Sequence, residues 1–381
     1  MMIDQNILLR AKGKIIVDGN DQEVILKGVG LGGWLLPEGY MWHFTANGDR
    51  PRKIENIIER LIGPDKAEEF WDNYYNNYIT EADIKRISVE GFNSIRVPIN
   101  YRFLIDDLKT SDFIDKHIEL LDRLVIWCRK YKVYVILDLH GAPGGQTGTN
   151  IDDSVNNKPE LFTEESNILK TIELWRKLAE HYRNEGIIAG YDLLNEPLPE
   201  WFSAYYDNVI PVYSRIVKAI REVDKHHMII LEGVHWATDW SIFTNKVDDN
   251  MMLQFHKYWN TPDLASIQTY IDKRDQLDVP IFMGESGEND NDWYRVNFKL
   301  LDNMNISWNF WPWKKLETTN SPCSINLPKN WDSIVGFVNN GELPAYNCGN
   351  QILSEYLENM KFENCTYHKE VVDSVLSRIP G

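Results

Sequence analysis

Four cysteines in 381 residues, none in a Cys-x-x-Cys or zinc-like spacing, exclude a metal knuckle and a dense disulfide framework. Cys128 lies in an apolar helical stretch and reads as a buried thiol, while pairing among Cys323, Cys348 and Cys365 stays open. No apolar run reaches the roughly 18 residues that a membrane-spanning helix needs, so a membrane partner is not expected. The opening MMIDQNILLR lacks a charged stretch followed by a long apolar one. That excludes a signal peptide in the given chain and points to a cytoplasmic protein or one without its leader. Positive charge is also scarce. The 40 Lys and Arg face 57 Asp and Glu, and a net charge of −17 repels phosphate backbones, so nucleic acid is not an expected partner. Low-complexity linkers and composition breaks are missing too. The expectation is a single domain over residues 1–381, acting as a monomer.

What the chain does have is a 43% hydrophobic composition, 14 Trp and 18 Tyr, enough for a large core with aromatics to spare. The stretch KGVGLGGW, residues 27–34, spaces Gly28, Gly30 and Gly33 as G-x-G-x-x-G. A dinucleotide fingerprint requires a helix opening at the last glycine. Here Trp34-Leu35-Leu36 runs into Pro37, which cannot continue a helix interior. The glycines are better read as letting a first strand end tightly.

Short β-branched runs alternate with longer helical patterns along the whole chain. Strands are expected over 24–29, 94–98, 133–138, 187–194, 228–232, 251–255, 280–284 and 305–310. Helices are expected over 80–90, 112–131, 164–184, 204–224, 264–276 and 292–303, with Thr80 as the N-cap of the first. Eight such strands in one series predict an α/β fold, a closed (β/α)8 TIM barrel with elaborated βα loops. The barrel core would cover about 24–315, with C-terminal loop and helices over 316–381.

Barrel enzymes build their sites where the strands end. Residues just after the expected strands are polar, titratable or aromatic: Glu38; Arg96, Asn100 and Tyr101; Asp138 and His140; Asn195 and Glu196; Glu232, His235 and Trp236; His256, Tyr258 and Trp259; Glu285; Trp308, Trp311 and Trp313. Two carboxylates across a barrel mouth ringed by aromatics suit glycosidic bond cleavage, where one donates a proton and the other attacks or stabilises the anomeric carbon. Glu196 and Glu285 fit those parts.

Six motifs then carry a resemblance, in register over about residues 24–315. They are "SIRVPINY" around Arg96, "DLHGAPGGQTG" around His140, "LLNEP" around Glu196, "HKYW" from His256, "MGES" around Glu285 and "FWPWK" around Trp311. Together they resemble glycoside hydrolase family 5, most closely its exo-β-1,3-glucanase and β-glucosidase group. The resemblance implies a retaining enzyme acting on β-glucan, oligosaccharide or β-glucoside by double displacement, without metal or organic cofactor. It implies Glu196 as acid/base and Glu285 as nucleophile. Asn195 would contact the sugar 2-hydroxyl, and Arg96 and Tyr258 would hold Glu285 ionised, since a cation and donated hydrogen bonds lower a carboxyl pKa. His140 and His256 would bind sugar hydroxyls or buttress the acid/base, Trp311 would floor the reacting sugar, and Glu38 would grip the terminal glucose. Endo-β-1,4-glucanase action is the alternative within the family, and a non-catalytic carbohydrate-binding barrel is the alternative outside it.

Other features have plainer readings. Glu232 also ends a strand and could bind sugar or pair with His235. His226 and His227 read as a helix-end cap, and the acidic run 288–292 as a solvated helix start that lacks EF-hand spacing. Trp308, Trp311 and Trp313 are read as one stripe on a strand face. Trp201, Phe202, Tyr205 and Tyr206 either line a leaving-group site or anchor a helix.

Overall fold

The computed structural model describes residues 7–105, 112–345 and 348–378. Eight parallel strands close into one barrel. They are β1 (Lys27–Gly30), β2 (Ser94–Asn100), β3 (Tyr134–Gly141), β4 (Ile188–Asp192), β5 (Met228–Glu232), β6 (Met251–His256), β7 (Ile281–Gly287) and β8 (Ser307–Trp311). Each pairs with its neighbours in chain order, and β8 pairs with β1 to complete the circle. The expected (β/α)8 barrel is therefore the fold, with strand ends moved by at most three residues and Met228–Glu232 not at all.

Helices cross between most strands, their apolar stripes buried against the barrel. Asp115–Tyr131 buries Leu120, Leu121, Leu124, Val125 and Cys128, the i, i+3, i+4 pattern of one buried face. Glu81–Val89 starts at Thr80, whose N–H donates to Asp83 Oδ2 at 2.9 Å, closing a capping box. Two helices in the first connection, Pro51–Ile62 and Pro64–Tyr78, were not among the expected ones, although each begins on a proline at its first helical position. The β5–β6 connection carries no helix and crosses in turns.

The barrel interior has two layers of opposite character. The lower layer is apolar, with Leu26, Ile136, Ala189, Met228, Ile230, Met252 and Phe282 packed together. Leu9 and Ile16 of an N-terminal hairpin (Arg10–Lys12 with Ile15–Val17) join that cluster and close the barrel's lower end. The upper layer is polar and fully buried: Arg96, Asp138, Asp192, Glu232, Gln254 and Asn309. Several of the expected site residues sit on or just above this upper layer.

The glycines of KGVGLGGW serve close packing more than a tight turn. A Cβ on Gly30 would lie 2.5 Å from the Trp311 ring, so this backbone makes room for that indole. Only Gly33 needs glycine's conformational freedom, at φ +79°. No helix opens at Gly33; a loop follows, then a short 3-10 turn, Gly39–Trp42, so the dinucleotide pattern of strand, glycine turn and α-helix is not met. All four cysteines are free, and Cys128 is buried as expected.

The expected tryptophan stripe does not exist. Trp308 and Trp311 are three residues apart and so point to opposite faces of β8, and the strand ends at Trp311, before Trp313. Trp308 turns outward and donates to Asp302, Trp313 donates to Asp83 outside the barrel, and Trp311 faces the barrel mouth.

Candidate active site

Arg96 stands at the centre of the upper layer, projected from β2 with no solvent exposure. Its Nη1 donates to Glu285 Oε1 at 2.6 Å and its Nε to Asp192 Oδ2 at 2.8 Å. Its Nη2 donates to Asn195 Oδ1 at 2.9 Å and to Glu232 Oε1 at 3.0 Å, with Asp138 Oδ2 at 3.1 Å. One guanidinium thus faces four buried carboxylates. Its planar fork of donors makes that geometry available.

Four carboxylates around one fixed cation cannot all be ionised cheaply in a buried layer. Burial pushes Asp138 up to about 8 although Arg96 pulls it back. Burial likewise lifts Asp192 well above the usual carboxylate range. Glu232 goes the other way: burial is outweighed by His256, Arg96 and the Glu196 N–H, and its carboxyl is held below its ordinary value.

Glu285, on β7, takes two strong donors. Besides Arg96, the Tyr258 hydroxyl donates to Oε2 at 2.5 Å. Despite these contacts its pKa is raised, because burial comes first and the Glu196 charge adds to it, against His256 and Arg96. Arg96 lowers it, as expected, but only limits a rise that desolvation imposes.

Glu196 lies in the loop after β4, with backbone φ +46° and its N–H donating to Glu232 Oε2 at 2.7 Å. His256 closes the geometry. Its Nδ1 lies 2.8 Å from Glu196 Oε1 and 3.6 Å from Glu285 Oε2, and its Nε2 lies 3.3 Å from Glu232 Oε1. Burial alone would depress His256, but the charges of Glu232 and Glu285 and the hydrogen bond to Glu196 raise it well above its ordinary value. The imidazolium is thus wedged among three carboxylates. One donor atom each of Glu196, His256 and Glu285 lies within 4.8 Å of the others. It is the one grouping of three such ligand types found among the described residues.

Around this pair the remaining expected residues fall into place. His140 stacks on Trp311 with ring centroids 5.6 Å apart and planes within 5°. Its Nδ1 donates to Asp138 Oδ2 at 2.8 Å, and its Nε2 is left to accept from Asn195 Nδ2 at 3.3 Å. Burial pulls His140 down to about 4, so the ring is neutral and keeps that tautomer. Gln146 ties the β3 and β4 loops by donating to the His140 and Asn195 carbonyls at 2.6 and 3.0 Å. Glu38 is buried on the opposite wall, where Oε1 has no hydrogen-bond partner. Burial and the charges of Glu285, Glu288 and Glu196 raise its pKa well above normal. Trp311 donates to the Tyr40 hydroxyl at 3.1 Å.

Glu38, His140, Glu196, His256, Tyr258, Glu285 and Trp311 all line one cavity of about 570 Å³, open at the barrel mouth. Arg96 and Asn195 lie directly beneath it. Tyr40, Trp236, Trp259 and Glu288 complete its wall. Phe202, Tyr205 and Tyr206 do not line it; they pack against the core as helix anchors. Trp201 stays exposed, its ring 5.9 Å from Trp236. A separate hollow of about 380 Å³, walled by Trp71, Tyr75, Arg102 and His117, holds neither Glu196 nor Glu285.

Two contributors were not among the expected site residues. Asp192 and Gln254 sit inside otherwise apolar strands, where an inward-facing polar side chain signals a buried network. Glu232 was considered as a sugar ligand or a His235 partner. Its oxygens face Arg96, Gln254, His256 and the Glu196 N–H, and His235 is not among their partners.

A family model for cellulase, glycosyl hydrolase family 5, matches residues 61–317, more than half of the chain. The chain belongs to glycosyl hydrolase family 5. A β-xylosidase of Phanerodontia chrysosporium is 35% identical over 252 residues, covering 66% of this chain and 52% of that one. A probable glucan 1,3-beta-glucosidase A of Neosartorya fischeri is 29% identical over 242 residues, covering 62% and 56%. This family 5 chain therefore spans little more than half the length of those relatives. Among solved structures, rutinosidase from Aspergillus niger superposes with a TM-score of 0.62 at 18% identity, over 78% of this chain and 92% of that one. At that identity the likeness concerns the fold.

Proposed function

We propose that the chain is a retaining β-glycosidase that removes glucose from β-glucans or β-glucosides, in the manner of an exo-β-1,3-glucanase or β-glucosidase. The observation that carries this reading is the approach of Glu196 and Glu285, oxygen to oxygen within 4.8 Å across one cavity. Retaining enzymes hold their carboxyls about 5–5.5 Å apart, whereas inverting ones leave about 6.5–9.5 Å for a water.

Glu285 attacks C1 of the sugar while Glu196 passes its proton to the glycosidic oxygen. The C1–O bond breaks with its electron pair moving to the departing oxygen, and an ester to Glu285 forms. Glu196, now a carboxylate, takes a proton from water, which attacks C1 and returns Glu285. Arg96 and Tyr258 localise charge on Glu285 when the ester breaks. His140 and Asn195, locked by Asp138 and Arg96, present sugar-facing groups with little freedom to reorganise. Trp311 offers the flat floor and Glu38 an acceptor for hydroxyls.

Removal of single terminal sugars is favoured over endo cleavage by the wall on the Glu38 side. There Tyr40 is tied to Trp311, and Lys315 donates to Glu288 at 2.7 Å while its ammonium lies over the Tyr40 ring. Behind that wall, Arg50 reaches the Ser154 carbonyl and Trp331 the Trp42 carbonyl, latching the neighbouring loops together.

The test is incubation with laminarin, cellulose oligomers and aryl β-glucosides and β-xylosides, reading first products by size and by proton NMR. The reading expects glucose, released first as the β-anomer. An α-anomer would end the retaining assignment, mixed oligomers would shift it to endo action, and binding without hydrolysis would leave a carbohydrate-binding barrel.

A further inference from the structure

We infer that Glu232 is a third working carboxylate of this site, a positioning residue that holds Glu196 where it can serve as acid/base; the inference rests on the glycosidase reading above. Glu196 sits in the loop after β4 with φ +46°, a left-handed backbone region that non-glycine residues adopt only at a cost. Something must hold it there. Its N–H, 2.7 Å from Glu232 Oε2, is the contact that does so from the barrel side. Leu198, two residues on, is also left-handed, and its carbonyl accepts the His235 N–H at 2.8 Å from the loop that follows Glu232. The β4 and β5 loops are therefore joined twice, and the inner joint is Glu232.

The other oxygen of Glu232 does separate work. Oε1 faces Arg96 Nη2 at 3.0 Å, His256 Nε2 at 3.3 Å and the Gln254 amide. Arg96 in turn holds Glu285, and His256 lies between Glu196 and Glu285. Glu232 thus binds the backbone of one reacting carboxylate and the two cations that face the other. Asp138 and Asp192 share Arg96 with it from β3 and β4, and the Tyr213 hydroxyl donates to its main-chain carbonyl. No solvent reaches its side chain. Such a carboxylate, accepting only and never exposed, has no room for a sugar hydroxyl, so it acts through Glu196.

The experiment is Glu232→Gln, assayed as kcat/KM on a β-linked diglucoside and on 2,4-dinitrophenyl β-glucoside. Gln keeps the shape but replaces one acceptor by a donor facing donors. A misplaced acid should cost about 100-fold on the diglucoside, whose leaving oxygen needs the proton. The loss should be under about 3-fold on the dinitrophenyl substrate, whose leaving group does not. For that substrate kcat and KM should fall together, because a poorly placed base lets the glycosyl-enzyme accumulate. Glu232→Asp keeps the charge for Arg96 and His256 but withdraws the oxygen from the Glu196 N–H, and should show the same selective loss. Equal losses on both substrates, or none, in either folded variant would overturn the inference. A wild-type protein that cleaves neither substrate would instead sink the glycosidase reading itself.

Discussion

The Tyr258 hydroxyl lies 2.5 Å from Glu285 Oε2, on the opposite side of that carboxylate from Arg96 at Oε1. The two oxygens of Glu285 are thereby distinguished, one by a fixed cation and one by a neutral donor. Only the second partner can be removed without leaving a buried charge unpaired. Tyr258→Phe should therefore leave the fold intact and lower kcat/KM about 10- to 100-fold, the worth of a hydrogen bond to a charged group. Steady-state kinetics on an aryl β-glucoside measures it, and an unchanged value would remove Tyr258 from the machinery.

Glu285→Ala should abolish turnover on every β-glycoside. Glu196→Ala should cost about 10²- to 10⁴-fold on sugar leaving groups and far less on activated aryl glucosides. Added azide should then yield a glucosyl azide with Glu196→Ala, since a small anion can replace water without a base. Failure of Glu196→Ala to separate the two substrate classes would contradict the acid/base role.

Arg96 cannot be replaced so gently. Arg96→Met would leave Asp138, Asp192, Glu232 and Glu285 facing one another in a sealed layer. Breaking a buried pair of this kind costs about 3–5 kcal/mol. A large fall in melting temperature, or failure to accumulate folded protein, is the expected result. A melting curve matching the wild type would show that the layer is already neutral.

Stability should decline as pH rises from neutrality to about 8. Asp138 keeps its proton in the fold up to about pH 8, whereas an unfolded Asp releases it near pH 4. The native state then binds more protons across that window, so stability present below about pH 4 is lost as pH climbs to about 8. His140 works the opposite way. At about 4 in the fold against roughly 6.5 unfolded, it contributes stability above pH 6.5 that is lost on acidification. Between pH 6.5 and 8 only Asp138 of these two changes charge. Melting temperatures over that interval should slope downward in the wild type and less so in Asp138→Asn. Parallel slopes would place the buried proton elsewhere.

Glu38 makes a separate statement about recognition. An orphaned, buried carboxylate oxygen is costly unless a ligand hydroxyl completes it. Glu38→Ala should raise the inhibition constant for glucose roughly 10-fold or more while its melting temperature rises or holds. Unaltered glucose inhibition would detach Glu38 from the sugar.

The barrel was legible because buried parallel strands must be apolar and short, and eight such runs alternate with helical patterns. The mouth was legible because loops after strands collect polar and aromatic residues, and Glu38, Arg96, His140, Asn195, Glu196, His256, Tyr258, Glu285 and Trp311 do gather there. What stayed hidden depends on three-dimensional adjacency. Nothing along the chain tells that Glu232 would face the amide of Glu196, because their contact spans two strands and a left-handed turn. The upward shift of Glu285 was hidden for a related reason. Its donors are visible in sequence, but the completeness of its desolvation is a property of the folded layer. The supposed tryptophan stripe failed on simple parity: Trp308 and Trp311 are three residues apart, and β8 ends before Trp313.

The N-terminal hairpin, with Leu9 and Ile16 set into the apolar lower layer, stoppers the barrel from below. The cavity at the barrel mouth is consequently a cul-de-sac. Whatever enters the cavity must leave by the same doorway, in the opposite direction, and one occupant has to vacate before the next arrives.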